Sequence, residues 1–176
     1  VIDDGDALAA LGRVCLQDRL CEGSCILNGT AEPVSIGAVE RFLNEYAFAR
    51  GAVDVARVPP NGFKMAVLGS GPGGMSCADE LAKRGYAVTV FESQPVPGGL
   101  LVNGIPAFKL EKTVVNRRID LLKKRGVEFR LGVEIGKDID LQALREDFDA
   151  VFLGFGAQQA RALKVPGVDL ERVSQA

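Results

Sequence analysis

The chain has 176 residues, 47% hydrophobic and 25% charged, with 21 glycines and a formal net charge of −2. That is enough for one modest domain, or for a domain with a smaller companion. The charge balance supplies no concentrated basic surface, so nucleic acid is not an expected partner. No apolar run reaches the roughly 18 residues of a membrane-spanning helix, and no basic-then-apolar leader opens the chain. No membrane association and a cytoplasmic location are therefore expected. Because the first residue is Val1, the polypeptide is expected to continue upstream. There is no histidine, which removes Ser-His-Asp and Cys-His catalysis from this chain. No catalytic side chain is expected, and the chemistry must come from a bound cofactor or from another chain.

Residues 1–60 and 64–176 read as two units. The first holds Cys15, Cys21 and Cys25, followed by a helix from about Ile36 to Ala49 in which Val39, Phe42, Leu43 and Tyr46 recur at helical spacing. Ser35 stands in the N-cap position. Val58-Pro59-Pro60-Asn61-Gly62 then reads as a linker. From Lys64 the pattern is α/β. Met65–Leu68 is a continuous apolar run, as in a strand buried on both faces. A glycine-rich turn leads into a helix through about Arg84, closed by Gly85. Ala87–Phe91 is a second buried strand. A helix from about Glu111 to Arg125 closes on Gly126, Val127–Leu131 alternates as a third strand, and Ala150–Leu153 is a fourth. Strand-helix alternation of this kind defines a doubly wound parallel sheet, a Rossmann-like domain, here preceded by a small, mainly helical segment. The charged residues Glu111, Lys112, Arg117, Arg118, Lys123 and Lys124 read as a solvated helix face.

The most informative stretch is Gly69-Ser70-Gly71-Pro72-Gly73-Gly74. Gly69, Gly71 and Gly74 satisfy G-x-G-x-x-G, between a predicted strand and a predicted helix. The three glycines serve the tight turn, the close approach of backbone to a pyrophosphate, and the packing of helix on strand. The diphosphate would rest on the positive end of the helix. Glu92 closes the second strand, at about the 20-residue distance where a carboxylate accepts the ribose hydroxyls of an adenosine. A carboxylate there repels a 2′-phosphate, so the site favours FAD or NAD over NADP. Next comes Ser93-Gln94-Pro95-Val96-Pro97-Gly98-Gly99-Leu100-Leu101, whose two glycines let the backbone pass close to a large ligand.

The run "VLGSGPGGMSCADELAKRGYAVTVFES", followed by "PGGLLVNGIPAFKL", resembles the FAD domain of the glutamate synthase small-subunit family. That family includes the large subunits of NADPH-dependent ferredoxin oxidoreductases and the N-terminal half of dihydropyrimidine dehydrogenase. The resemblance extends from about Gly12 to Leu170. It implies that Gly69, Gly71, Pro72, Gly73 and Gly74 hold the FAD pyrophosphate, with Glu92 and Ser93 at the ribose. It also implies that Gly99, Leu100 and the Gly104-Ile105-Pro106 turn lie along the flavin. For Leu100 and Ile105, ordinary core packing is the competing assignment. Asp149–Ala157 resembles the family's second glycine turn, with Gly156 in backbone contact and Phe155 where a threonine is usual. Arg161–Gly167 matches the run toward the NADPH domain. No second G-x-G-x-x-G for NADPH is present in the sequence.

Three thiols as close as Cys15, Cys21 and Cys25 suit a metal site, although a tetrahedral site needs a fourth ligand. Unligated thiols are the alternative. Here "GRVCLQDRLCEGSCILN" and "VSIGAVERF" resemble the end of the family's N-terminal module, which carries two [4Fe–4S] clusters. The resemblance implies that Cys15 and Cys21 ligate one cluster, with Glu40 as a further ligand, and Cys25 the other. The remaining cysteines of that module are absent from this sequence, so the clusters are not expected to assemble in this chain alone. Cys77 is expected to be a small buried residue; for Lys109 a contact to a partner or a phosphate is the less favoured reading. The expected function is part of an FAD-dependent NAD(P)H oxidoreductase. It would pass electrons from NADPH through FAD to iron–sulfur clusters, and on to a larger catalytic subunit or domain. The alternative is a non-catalytic docking or electron-relay segment of a larger redox complex.

Overall fold

In the computed structural model the described residues are 12–53, 55, 57–157, 165–166 and 170. The run from Arg161 to Gly167 lies mostly outside them. Four strands, β1 (Lys64–Leu68), β2 (Ala87–Glu92), β3 (Glu128–Leu131) and β4 (Ala150–Leu153), form one sheet in the order β3-β2-β1-β4. Every pairing is parallel. Among the described residues a 3-10 turn (Gln17–Arg19) and five α-helices accompany them: α1 (Ile36–Ala49), α2 (Pro72–Ala82), α3 (Leu100–Asn103), α4 (Lys112–Arg125) and α5 (Leu141–Asp147).

The two faces of the sheet carry separate apolar layers, as alternation along a strand requires. Val67, Val88 and Val90 pack with Met75 and Ala78 of α2 and with Val115, Ile119 and Leu122 of α4. Ala66, Leu68 and Phe91 point the other way and meet Leu144 of α5, with Phe148 set edge-on to Phe91 at 5.8 Å between centroids. Helices on both faces make the sheet doubly wound, as expected. Fully burying residues such as Leu122 and Phe91 contributes about 1.5–3 kcal/mol each.

Gly85 and Gly126 close α2 and α4 with φ of +83° and +103°, as the sequence implies. The helix after the glycine turn ends at Ala82, a little before the expected Arg84. Two elements are additional. One is α3. The other is α5, capped by Asp140, whose side chain accepts from Gln142 N–H at 3.0 Å. The expected linker, residues 58–62, is exposed and without regular structure, but it is anchored. Asn61 N–H donates to Gly85 O and Asn61 Nδ2 to Arg84 O, tying the segment to the end of α2.

Helix α1 forms where its periodicity predicts, but two details differ. Ser35 occupies the N-cap position without a capping side-chain bond. The apolar stripe is exposed: Phe42 is 64% accessible and Val39, Leu43 and Tyr46 are about half so, while Gly37, Asn44 and Ala47 face inward. Among the described residues no helix is long and apolar enough to cross a membrane.

The solvated face assigned to α4 also needs correction. Arg118 is buried and donates to Asp79 of α2 at 2.8 Å, and Arg125 donates to the same carboxylate. Arg117 reaches Glu45 of α1 with two bonds of 3.0 Å and stacks over Phe48. Lys112 donates to the main chain of the α3 turn. These long side chains bury their stems while their charged heads find partners that lie far away in sequence.

Candidate dinucleotide site

The glycine turn leaves the C-terminal end of β1, beside its neighbours β2 and β4, where open α/β sheets hold ligands. Gly69 has φ of +97°, and a Cβ there would stand 2.7 Å from Gly154 O and from Phe155 Cα. It therefore serves both the turn and the close passage of the β4 exit. Gly74 packs so tightly under Gly69 O that no side chain fits. At Gly71 and Gly73, by contrast, a Cβ would meet nothing within 4 Å. The first two tasks are internal packing, whereas the open side of the turn is a cradle bare of side chains. Among the described residues the first main-chain bond into α2 runs from Met75 N–H to Gly71 O. Gly73 and Gly74 N–H therefore precede the helical ladder, in the position that receives anions.

Glu92 is buried, with 6% of its surface accessible, at the end of β2. Ser70 N–H and Ser70 Oγ donate to Oε2 at 2.9 and 2.5 Å. Gln94 N–H donates to Oε1 at 2.9 Å and Ser93 Oγ to the same atom at 3.3 Å. Burial pushes its pKa up, but the Ser70 hydroxyl and the Gln94 and Ser70 amides outweigh this and hold it below the ordinary carboxylate value. The acid is thus kept ionised and fixed in one orientation. Four donors match the roughly four lone-pair positions of a carboxylate.

Gly99 has φ of +52°, and a Cβ on it would lie 2.9 Å from Gly71 Cα, so the loop after β2 lies directly on the glycine turn. Leu100 begins α3 and is 69% accessible, which sets it apart from the core. Ile105 is half-buried and packs on the core layer under α2 and α4. Lys112 Nζ holds this stretch from below, donating to Leu101 O at 2.8 Å and also to Ile105 O. Gly156 is exposed with φ of +64°, just beyond β4. The sequence reading missed Ser70 and placed Lys112 on a solvated helix face. A hydroxyl at a free position of the fingerprint and a lysine on a helix carry no signal of their own.

The thiols are arranged differently. Cys15 and Cys21 are exposed, Cys25 is half-exposed, and none is in a disulfide. Main-chain hydrogen bonds from Val34 and Leu27 hold the Cys25 thiol below its ordinary value. Glu40 lies on α1. Among the described residues no group of three or more Cys, Asp or Glu is placed to hold a metal ion. By themselves the four expected ligands do not fit a cluster. Cys77 is half-buried against the core, and burial raises its pKa.

A parallel sheet with an anion-ready helix start and an ionised acid at the next strand defines the class: a dinucleotide-binding α/β unit of Rossmann type, carrying a further N-terminal segment. Comparison with known proteins agrees. Residues 67–104 match the NAD(P)-binding Rossmann-like domain family, and residues 2–52 match dihydropyrimidine dehydrogenase domain II, 4Fe-4S cluster. Among solved structures, FprA of Mycobacterium tuberculosis in complex with NADPH is 28% identical with a TM-score of 0.54, covering 64% of this chain and 26% of that one.

In sequence the chain is similar to glutamate synthase small chains. It is 49% identical to the glutamate synthase [NADPH] small chain of Halomonas elongata over 166 residues, 94% of this chain and 35% of that protein. The Escherichia coli K12 glutamate synthase [NADPH] small chain is 50% identical over 150 residues, 85% of this chain and 32% of that protein. The putative oxidoreductase UacF of the same organism is 46% identical over 94% of this chain and 26% of its own length. The chain thus spans about a third, or less, of the length of these relatives.

Proposed function

We propose that this chain is the FAD-binding part of an NAD(P)H oxidoreductase of the glutamate synthase small-chain kind. In this reading residues 64–176 form the FAD unit, and residues 1–60 form an iron–sulfur-type segment. NADPH is the reductant and a larger catalytic subunit or domain the electron acceptor, in a soluble cytoplasmic protein. The observation that carries the proposal is the pairing of the bare Gly71–Gly73 cradle with an ionised, four-fold bonded Glu92 across it. Gly69, Gly71, Pro72, Gly73 and Gly74 would take the pyrophosphate at the start of α2. Glu92 and Ser93 would take the adenosine ribose. Gly99, Leu100, Ile105 and Gly156 would border the flavin end.

When bound, the flavin supplies the conversion between hydride and single-electron transfer. The chain's own residues bind and orient it: the turn excludes side chains from the diphosphate path, and Glu92 disfavours a 2′-phosphate. Cys15, Cys21, Cys25 and Glu40 do not form a cluster site by themselves, so no electron-transfer step is assigned to them here. The test is an absorption spectrum before and after adding FAD and then NADPH. Flavin bands that appear and are bleached by NADPH support the whole proposal. Bands that appear without bleaching confine it to FAD binding. No binding of FAD overturns it.

A further inference from the structure

We infer that Ser70, at a position the glycine fingerprint leaves free, is a positioning residue that presets both ends of the dinucleotide site; the inference rests on the proposed FAD reading and deepens it. Ser70 is fully buried in the mouth of a site whose other turn residues, Gly71 and Gly73, are open. A buried hydroxyl stays satisfied only if it both donates and accepts. Ser70 does so with two separate parts of the site. Its Oγ donates to Glu92 Oε2 at 2.5 Å, the short distance of a hydroxyl bonded to a charged acceptor. The same Oγ accepts from Gly98 N–H at 2.9 Å.

One atom therefore joins the ribose acid on β2 to the loop that carries Gly98 and Gly99 onto Gly71. The Ser70 main-chain N–H adds a second bond to the same carboxylate oxygen, at 2.9 Å. Glu92 Oε2 is thus committed to the protein, while Oε1, held by Gln94 N–H and the longer Ser93 bond, is the oxygen a ribose can share. Ser70 in this way decides which carboxylate oxygen reads the ligand. The charged residues nearby in the fold, Arg130 on β3 and Glu134 just after it, are engaged with Glu128 and Lys137. The ionisation of Glu92 therefore depends on its four donors.

The test compares the full-length wild-type chain with Ser70→Ala, Glu92→Gln and the double variant, by calorimetric titration with FAD and with ADP across pH. Ser70→Ala should weaken both ligands by about ten-fold or more, as expected for loss of a hydrogen bond to a charged group. Its loss should be much smaller in the Glu92→Gln background, because Ser70 acts through Glu92. The acid limb of binding should also move to higher pH, since the carboxylate loses a donor that favours its ionised form. Where Ser70→Ala does not fold, Ser70→Cys carries the same comparison with a weak donor of similar size. Wild-type affinity in the variant, an unmoved acid limb, or effects that simply add would overturn the inference. Failure of the wild-type chain to bind either ligand would overturn the FAD reading and this inference with it.

Discussion

Arg118 of α4 donates to Asp79 of α2 across 2.8 Å with both side chains buried, and this bond ties the helix of the glycine turn to the next helix in the layer. Arg125 reaches the other oxygen of the same carboxylate, and Lys83 stands 3.1 Å from it. Burial pushes the Asp79 pKa up, but the two arginines prevail and hold it below the ordinary carboxylate range. A pKa depressed on folding gives stability that is present above the unfolded value and lost as pH falls through the folded one. Asp79→Ala should destabilise by about 3 kcal/mol or more, because it strands buried cationic groups. Urea unfolding at neutral pH measures this. At acid pH the gap between wild type and variant should narrow.

The N-terminal segment is joined to the sheet unit by a weaker version of the same device. Arg13 and Arg117 both bond Glu45, and the Arg117 hydrogen bond is the main reason its pKa falls to about 2. Glu45 is 41% accessible, so solvent discounts the pair, and Glu45→Gln should cost only about 0.5–1 kcal/mol. The expected signature is local. Protease should cut more readily between α1 and β1, with little change in the global unfolding midpoint. The stabilisation is complete above the ordinary carboxylate range and fades as pH drops toward 2.

How much of this was legible depends on the range of the forces involved. Strands β1 and β2 and the turn between β1 and α2 were readable because a run such as Met65–Leu68 and the glycines at 69, 71 and 74 encode their environment locally. Helix α5, at seven residues, and α3, at four, are too short to display a helical period. The solvated face assigned to α4 holds for Glu111, Lys123 and Lys124, which are exposed, but not for Arg118, which finds Asp79 about forty positions away. No local pattern records such a partner. At the site, Glu92 was readable from spacing, but its oxygens are filled by Ser70, Ser93 and Gln94. Those bonds exist only once β1 and β2 lie side by side. The ligand roles of Cys15, Cys21, Cys25 and Glu40 were read from a family resemblance, and the remaining cysteines of that module are absent from this sequence.

The glycines of the fingerprint should separate into two kinds. A Cβ on Gly74 would collide with Gly69 O, so Gly74→Ala must displace α2 from the strand end. It should unfold at clearly lower denaturant, by about 2 kcal/mol in the range of overpacked sites. Gly71→Ala meets no atom within 4 Å, and Gly71 has φ of −65°, which any residue adopts. Its stability should stay within about 0.5 kcal/mol of wild type. Its methyl group would nevertheless enter the cradle proposed for the pyrophosphate, so FAD affinity should fall ten-fold or more. Equal effects of the two changes on stability would contradict the division.

Lys112 offers a way to address the flavin end alone. Its ammonium group donates to Leu101 O and Ile105 O, so it closes the turn that carries the stretch proposed to border the flavin. It lies on α4, and its bonds run to the α3 turn rather than to Glu92 or the glycine turn. Lys112→Met keeps the length of the stem and removes the three donors. The two carbonyls then lose a charged partner, and the turn should loosen while the sheet and α2 stay in place. FAD affinity should fall about ten-fold, whereas ADP, which has no flavin, should bind as in wild type. Titration with both ligands reads the difference directly. A parallel loss of ADP would mean that Lys112 supports the whole site, and an unchanged FAD affinity would place the flavin away from residues 100–105.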